Sequence, residues 1–226
     1  MPSPDLSKAP LADKAALVRI GEQVRTRLLA DPMVERVAVD DAEIYTVAEF
    51  LSPAECQRFM DMVDAVAKPS QTFDTEYGAS YRTSYSGDTD PYDPFVRMIQ
   101  RRIDDLLGID PSYGETIQGQ RYTPGQLFEP HTDWFYTLAD YWPAEAQRGG
   151  QRSWTTMIYL NTVEAGGVTE FNRIGVSITP QAGALLAWNN ADAEGRPNLQ
   201  TTHAARPVEA GVKYVITKWY RTRKWA

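Results

Sequence analysis

The chain of 226 residues carries a formal net charge of -7, with 42% hydrophobic and 23% charged residues. This composition is typical of a globular protein long enough to bury a sizeable core. The sequence contains no concentrated basic stripe, which argues against a nucleic-acid partner. Its single cysteine, Cys56, excludes an intramolecular disulfide and a cysteine-based zinc or iron–sulfur site.

Membrane attachment and secretion are not predicted either. No apolar run approaches the roughly eighteen residues that are typical of a membrane span. The first residues lack a basic segment followed by an apolar core, so no signal peptide is expected. The default expectation is a reducing, cytoplasmic location.

The first predicted element is a helix from Leu11 to about Ala30. It follows residues 1–10, which contain three prolines and are predicted to form a loose tail. Apolar residues recur at helical spacing, and the Asp31–Pro32 pair ends the pattern because a residue before proline disfavours helix. The helix could brace a sheet or contribute a homodimer contact, and we favour bracing. We treat residues 1–40 as an N-terminal tail and helix, and 41–226 as one compact domain.

Two more helices and a long polar stretch follow a short strand at residues 44–47. Ser52 and Glu55 flank Pro53 in a capping-box pattern, which predicts a helix to about Val66. Its apolar stripe consists of Cys56, Phe59, Met60 and Val63. Residues 68–90 are polar without apolar periodicity, which indicates either disorder or a functional lid. Asp93–Pro94 opens the next helix, which is predicted to end at Gly108.

The remainder of the chain has the pattern of a β protein. Short segments with Gly and Pro turns predict strands near residues 115–122, 127–133, 154–161, 168–171, 175–179, 183–189, 200–207 and 211–221. Eight short strands after a helical front predict a mainly β fold with a double-stranded β-helix, or jelly-roll, core and bracing helices.

The most informative stretch is RYTPGQLFEPHTDWF, residues 121–135. His131 and Asp133 are two residues apart, so an extended backbone directs both side chains to one face. The chain has only one other histidine, His203. Two histidines and one carboxylate form the facial triad of non-heme Fe(II) oxygenases, which leaves coordination positions open. The same donors can also hold a catalytic zinc ion.

The final strand contains a lysine that could face the interior. Lys213, Val215, Thr217 and Trp219 alternate with Tyr214, Ile216, Lys218 and Tyr220, so the two sets occupy opposite faces. If the first set faces inward, Lys213 requires an anionic partner, because a buried unpaired charge is costly. The distal carboxylate of 2-oxoglutarate would serve. Alternation alone does not decide which set faces inward.

Taken together, these stretches resemble the prolyl 4-hydroxylase type of 2-oxoglutarate- and Fe(II)-dependent dioxygenases. The resembling pieces begin with Phe50-Leu51-Ser52 and Arg82-Thr83-Ser84 and continue through RYTPGQLFEPHTDWF. They then include RSWTTMIYLN, GGVTEF, PQAGALLAWNN and THAARPVEAGVKYVITKWYR. These pieces occur in the family's order and cover nearly the whole chain after residue 40.

The resemblance implies a role for each matching residue. The Fe(II) ligands would be His131, Asp133 and His203, and Lys213 would pair with 2-oxoglutarate. Tyr122, Thr169 and Tyr159 would bind or line the cosubstrate pocket. Fe(II), 2-oxoglutarate and O2 are the implied cofactors, with ascorbate as an optional addition. Decarboxylation of 2-oxoglutarate to succinate would accompany hydroxylation of a C–H bond. Halogenases lack the carboxylate ligand, so Asp133 favours hydroxylation.

The substrate is the least constrained part of the prediction. The resemblance favours a prolyl residue in a peptide or protein, and a free amino acid or other small metabolite is the alternative. A non-catalytic module that senses 2-oxoglutarate or binds protein is the alternative of another class. We predict that Arg82 and Trp134 contact the substrate; surface exposure and packing are their competing explanations.

Four positions depart from the family's usual pattern, and none of them is a predicted ligand. They are Asn172, Trp188, Asn198 and Ala205. Trp188 and the loop around Asn198 would change the shape of the pocket.

Overall fold

A computed structural model describes residues 13–72, 78 and 80–226. The predicted N-terminal tail and the start of the first helix lie outside these residues. Within them, the helices are α1 (Lys14–Ala30), α2 (Pro53–Val66), α3 (Pro94–Leu107) and α4 (Trp142–Gln147). The strands are β1 (Val34–Arg36), β2 (Ile44–Val47), β3 (Lys68–Pro69), β4 (Tyr85–Asp88), β5 (Gln118–Tyr122), β6 (Phe128–His131), β7 (Arg152–Tyr159), β8 (Ala165–Gly166), β9 (Thr169–Phe171), β10 (Val176–Ile178), β11 (Leu185–Asn189), β12 (His203–Ala205), β13 (Val208–Ala210) and β14 (Lys213–Arg221).

The strands form two principal antiparallel sheets. The large sheet has the order β1-β2-β11-β7-β14-β5-β4-β3, and the small sheet has the order β10-β9-β12-β6. A separate pair joins β13 to β8. The eight strands predicted after residue 110 all occur, with ends that differ by up to three residues. The jelly-roll prediction is confirmed.

Helices α1, α2 and α3 cover the outer face of the large sheet, as the bracing interpretation requires. Their buried residues join one apolar core with the outward side chains of β7, β11 and β14. Ser52 and Glu55 form the predicted capping box at the start of α2. Cys56, Phe59 and Val63 are buried as predicted, whereas Met60 is only half-buried because it lies at the margin of the stripe.

The polar stretch 68–90 was expected to be either disordered or a functional lid. The structure corrects this for its two ends, which form strands β3 and β4. Lys68 pairs with Ser86 between β3 and β4, and Tyr85 pairs with Arg121 between β4 and β5. Backbone pairing at a sheet edge requires no apolar periodicity, so the sequence pattern did not reveal it. Residues 73–77 and 79 lie outside the described residues, and the lid prediction for them stays a prediction.

A second apolar core lies between the two sheets. It includes Tyr122, Met157, Phe171, Trp188 and Val215, and the candidate site opens beside it. The large sheet is therefore covered on both faces. Among the described residues, no helix has the length and apolar character needed to cross a membrane. The domain boundary near residue 40 stays a prediction.

Candidate active site

The three predicted metal ligands meet at the edge of the small sheet. His131 ends β6 and His203 begins β12, and the two residues are direct partners across the strand pair. Asp133 follows His131 by two residues. One potential ligand atom of each side chain lies within 4.8 Å of the others, so the group could hold one metal ion. Asp133 and His203 are buried and His131 is half-buried.

Backbone carbonyls orient both imidazoles. The Nδ1 atom of His131 lies 2.8 Å from the carbonyl oxygen of Glu129, and Nδ1 of His203 lies 3.0 Å from that of Thr201. A protonated Nδ1 donates to each carbonyl and leaves the Nε2 lone pair free for a metal. Such outer contacts commonly set the tautomer and direction of a ligating histidine.

The charge states suit a divalent cation. Burial lowers the pKa of His131 to about 3, so the ring is neutral at pH 7. Burial alone would raise the pKa of Asp133, but nearby His203 and Arg152 outweigh it and lower that pKa. The Oδ2 atom of Asp133 accepts a hydrogen bond of 2.7 Å from Thr155. Two imidazoles and one carboxylate with open positions fit Fe(II).

A cavity of about 820 Å³ opens onto these ligands. Of the nine predicted site residues, eight line it: His131, Asp133, His203, Lys213, Tyr122, Thr169, Arg82 and Trp134. Tyr159 does not line the cavity, but its hydroxyl donates to Thr169 Oγ1 at 2.8 Å. Tyr159 therefore contacts the pocket through Thr169.

The structure places the lysine-bearing face of β14 toward the cavity. Lys213, Val215, Thr217 and Trp219 line the cavity. Lys213 is 1% exposed, and its Nζ lies 3.5 Å from Thr169 Oγ1. Within the described part of the chain, no carboxylate lies within ion-pairing distance of this ammonium. Burial lowers the pKa of Lys213 to about 7.

Polar side chains line the wall next to this lysine. The Tyr122 hydroxyl donates to Gln120 Oε1 at 2.7 Å, and Gln120 Nε2 donates to Thr217 Oγ1 at 3.2 Å. The rings of Tyr122 and Tyr159 lie 5.3 and 5.6 Å from Lys213 Nζ. This end of the cavity is a cationic pocket with hydroxyl groups, which suits a carboxylate.

Similarity to known proteins agrees with this geometry. Residues 117–221 match the model of the 2OG-Fe(II) oxygenase superfamily. The prolyl 4-hydroxylase subunit alpha-1 of Rattus norvegicus is 35% identical over 190 residues, covering 81% of this chain and 35% of the relative. Subunit alpha-3 of the Homo sapiens enzyme is 32% identical over 200 residues, covering 85% and 36%. This chain belongs to the 2OG-Fe(II) oxygenase superfamily. It spans about a third of the length of these relatives.

Solved structures show the same fold. The 2OG complex of the viral collagen prolyl hydroxylase from Paramecium Bursaria Chlorella virus-1 matches with a TM-score of 0.62 and 25% identity, covering 78% of this chain and 94% of that chain. A prolyl-4-hydroxylase from Pseudomonas putida matches with a TM-score of 0.58 and 18% identity, covering 92% and 99%. The expected family, with Fe(II) and 2-oxoglutarate as its cofactors, is confirmed.

The two predicted substrate contacts differ in their surroundings. The Arg82 guanidinium lines the cavity, lies 4.7 Å from the Phe128 ring centre and donates to Gln118 Oε1 at 3.1 Å. The Phe128 ring in turn stacks on His131 at 3.6 Å. Trp134 is only 6% exposed and packs with Leu17 and Ala191, although part of it lines the cavity. Most of the Trp134 side chain is therefore packed against other residues, as the competing explanation for this residue predicted.

Sequence reasoning missed a buried ionic network that also lines the cavity. Arg152 makes two bonds to Glu115, at 2.7 and 2.8 Å, and its Nη1 lies 4.0 Å from Asp133. Arg221 bonds to Glu115 at 2.5 Å and to Glu145 at 2.6 Å. These residues come from β7, β14, α4 and a loop, so no local spacing links them. Charged residues within the apolar strands β7 and β14 were the available signal.

Proposed function

We propose that the chain is an Fe(II)- and 2-oxoglutarate-dependent hydroxylase that acts on an unactivated C–H bond of a prolyl residue in a peptide or protein. Decarboxylation of 2-oxoglutarate to succinate would accompany the reaction. The observation that carries the proposal is that one cavity is lined both by the His131–Asp133–His203 cluster and by Lys213, which has no carboxylate partner among the described residues.

The metal cluster supports the oxygenase chemistry. His131 and His203 would each offer Nε2 to Fe(II), and Asp133 would offer a carboxylate oxygen. The bound metal supplies the oxygen chemistry, while the protein supplies position and a water-poor cavity. Three protein ligands leave positions for a chelating 2-oxo acid and for O2.

The cationic pocket supports 2-oxoglutarate as the cosubstrate. A buried ammonium without an anionic partner is unfavourable, and a bound carboxylate would offset that cost. Lys213 would contribute the charge, and the hydroxyl groups of Thr169 and Tyr122 would complete the pocket. Tyr159 would hold Thr169 in place through its 2.8 Å hydrogen bond.

The substrate class follows from the relatives and the remaining cavity. The curated relatives carry the name prolyl 4-hydroxylase, which favours a peptidyl proline. Arg82 faces the space beside the stacked pair of Phe128 and His131 and would contact the peptide. A free amino acid or other small metabolite would enter the same cavity, and a substrate screen separates these alternatives.

Succinate formation tests the proposal directly. The protein is purified anaerobically, loaded with Fe(II) and exposed to 2-oxoglutarate, O2 and ascorbate without other substrate. Slow, iron-dependent succinate formation that is lost in His131→Ala would support the chemistry. No turnover together with no binding of 2-oxoglutarate to the metal-loaded protein would refute it. Binding without turnover would point to a sensing module or to strict dependence on substrate.

The substrate contacts require a second comparison. Peptide and metabolite libraries would identify a substrate by faster succinate formation. The double variant Arg82→Ala, Trp134→Ala should then raise the KM for that substrate and leave substrate-free succinate formation unchanged. Unchanged substrate affinity would exclude both residues as contacts.

A further inference from the structure

A buried chain of two hydrogen bonds leads to the carboxylate of the predicted metal ligand Asp133. Thr155 on β7 donates to Asp133 Oδ2 at 2.7 Å, and the Asn190 side-chain amide nitrogen lies 2.9 Å from the same threonine oxygen. Thr155 and Asn190 are both buried, 0% and 2% exposed. Neither residue is among the predicted cofactor or substrate contacts.

Counting protons fixes the direction of this chain. An ionised carboxylate can only accept, and a threonine hydroxyl has one proton to donate. That proton goes to Asp133, so Thr155 must accept from the Asn190 amide. The amide oxygen of Asn190 then points away, and it is buried without a hydrogen-bond partner among the described residues. An unsatisfied buried oxygen is costly, which indicates that the orientation serves the carboxylate and not general stability.

The backbone of Asn190 reaches the other side of the site. Its carbonyl accepts from the Asn198 backbone N–H at 3.0 Å, and the Asn198 carbonyl accepts from the Thr201 hydroxyl at 2.7 Å. The Thr201 carbonyl is the partner of His203 Nδ1. Asn190, which follows β11, is thus linked by hydrogen bonds both to Thr155, which contacts Asp133, and to the loop whose Thr201 carbonyl contacts His203.

We propose that Thr155 and Asn190 are positioning residues that set the orientation of the Asp133 carboxylate and couple it to the loop that carries His203. The inference rests on the proposed function, because the metal must bind at these ligands. Outer contacts of this kind commonly change metal affinity about 10- to 100-fold. The neighbouring Thr156 provides a matched control, since it is equally buried but donates to the Lys218 carbonyl at 3.2 Å.

The test measures the dissociation constant of Mn(II), used as a redox-stable probe, for the full chain and its variants. Thr155→Val should weaken binding about 10- to 100-fold, while Thr155→Ser, which keeps the hydroxyl, and Thr156→Val should stay within about threefold of wild type. Asn190→Ala should weaken binding in the same direction, and it replaces Thr155→Val if that variant does not fold. The absorption band of the anaerobic Fe(II)–2-oxoglutarate complex should shift only in the Thr155→Val and Asn190→Ala variants.

Two results would overturn different claims. If Thr155→Val and Asn190→Ala bind Mn(II) as tightly as Thr156→Val, the positioning role is wrong, although the metal site stands. If wild type and His131→Ala bind Mn(II) equally, the metal site itself is wrong, and with it the proposed function.

Discussion

Strand β14 places two lysines in the interior, on opposite faces of the large sheet. On the helix-covered face, Lys218 Nζ lies 2.6 Å from Asp104 on α3, and the same carboxylate accepts from the Tyr220 hydroxyl at 2.7 Å. On the cavity face, the hydrogen-bond partner of Lys213 is the Thr169 hydroxyl at 3.5 Å. No carboxylate of the described residues pairs with Lys213. The two side chains are 2% and 1% exposed, so burial does not distinguish them.

The difference separates a structural charge from a binding charge. Burial lowers the pKa of both lysines, but for Lys218 the adjacent Asp104 offsets part of that effect. The protein therefore carries the counter-ion of Lys218 within its own fold. For Lys213 the counter-ion would come from a ligand. Replacing each lysine with an apolar residue should consequently change different properties.

The largest expected effect on stability is at Lys218. Lys218→Met leaves Asp104 buried with only the Tyr220 hydroxyl, and removing one partner of a buried ion pair typically costs about 3–5 kcal/mol. Urea denaturation of the variant measures this loss. The double variant Lys218→Met, Asp104→Asn should recover much of it, because no charge is then left unpaired. A single variant as stable as wild type would show that the pair contributes nothing.

Lys213→Met should weaken ligand binding without lowering stability, in contrast to Lys218→Met. We expect binding of 2-oxoglutarate to the Mn(II)-loaded protein to weaken at least about 30-fold, which corresponds to a loss of roughly 2 kcal/mol or more. The ligand-free variant should be as stable as wild type or more stable, because an unpaired buried charge has been removed. Unchanged 2-oxoglutarate affinity, or a stability loss like that of Lys218→Met, would contradict the assignment of Lys213.

The candidate metal ligands and the jelly-roll fold class were predictable from sequence. Only two histidines are present, and His131 and Asp133 have a spacing that an extended chain converts into proximity. The face occupied by Lys213 was not predictable. The large sheet is covered on both faces, so the burial pattern of β14 does not alternate and both lysines are equally hidden.

The polar supports of the site were also beyond sequence reasoning. In the sequence, Thr155 has the pattern of an ordinary strand residue, and Asn190 has that of a turn residue after a strand. Their contact depends on the register of β11 against β7, in which Trp188 lies opposite Thr155. Glu115 and Arg152 likewise meet only through the tertiary fold, 37 residues apart in sequence.

The pH dependence of 2-oxoglutarate binding sharpens the contrast between the lysines. With a pKa lowered to about 7, free Lys213 loses its proton as the pH rises through 7, whereas a bound anion favours the charged form. At about pH 8, binding should therefore take up close to one proton, and affinity should fall as the pH rises above about 7. Calorimetry of the Mn(II)-loaded protein in two buffers with different ionisation enthalpies measures the uptake. Lys213→Arg, which stays charged, should abolish it, and equal heats for wild type in both buffers would contradict the prediction.

The smallest expected effect concerns the hydroxyl beside Lys213. Thr169 Oγ1 accepts a hydrogen bond from the Tyr159 hydroxyl at 2.8 Å and lies 3.5 Å from Lys213 Nζ. Tyr159 therefore holds this hydroxyl in place, and Thr169 itself lines the cavity. Thr169→Val keeps the shape and removes one hydrogen-bonding group, worth about 0.5–1.5 kcal/mol, so 2-oxoglutarate should bind roughly 2- to 13-fold more weakly. Tyr159→Phe removes only the supporting hydroxyl outside the cavity and should weaken binding less than Thr169→Val. A Tyr159→Phe effect equal to that of Lys213→Met would instead mean that Tyr159 contacts the ligand itself, because loss of a support acting only through Thr169 cannot exceed loss of the Thr169 hydroxyl.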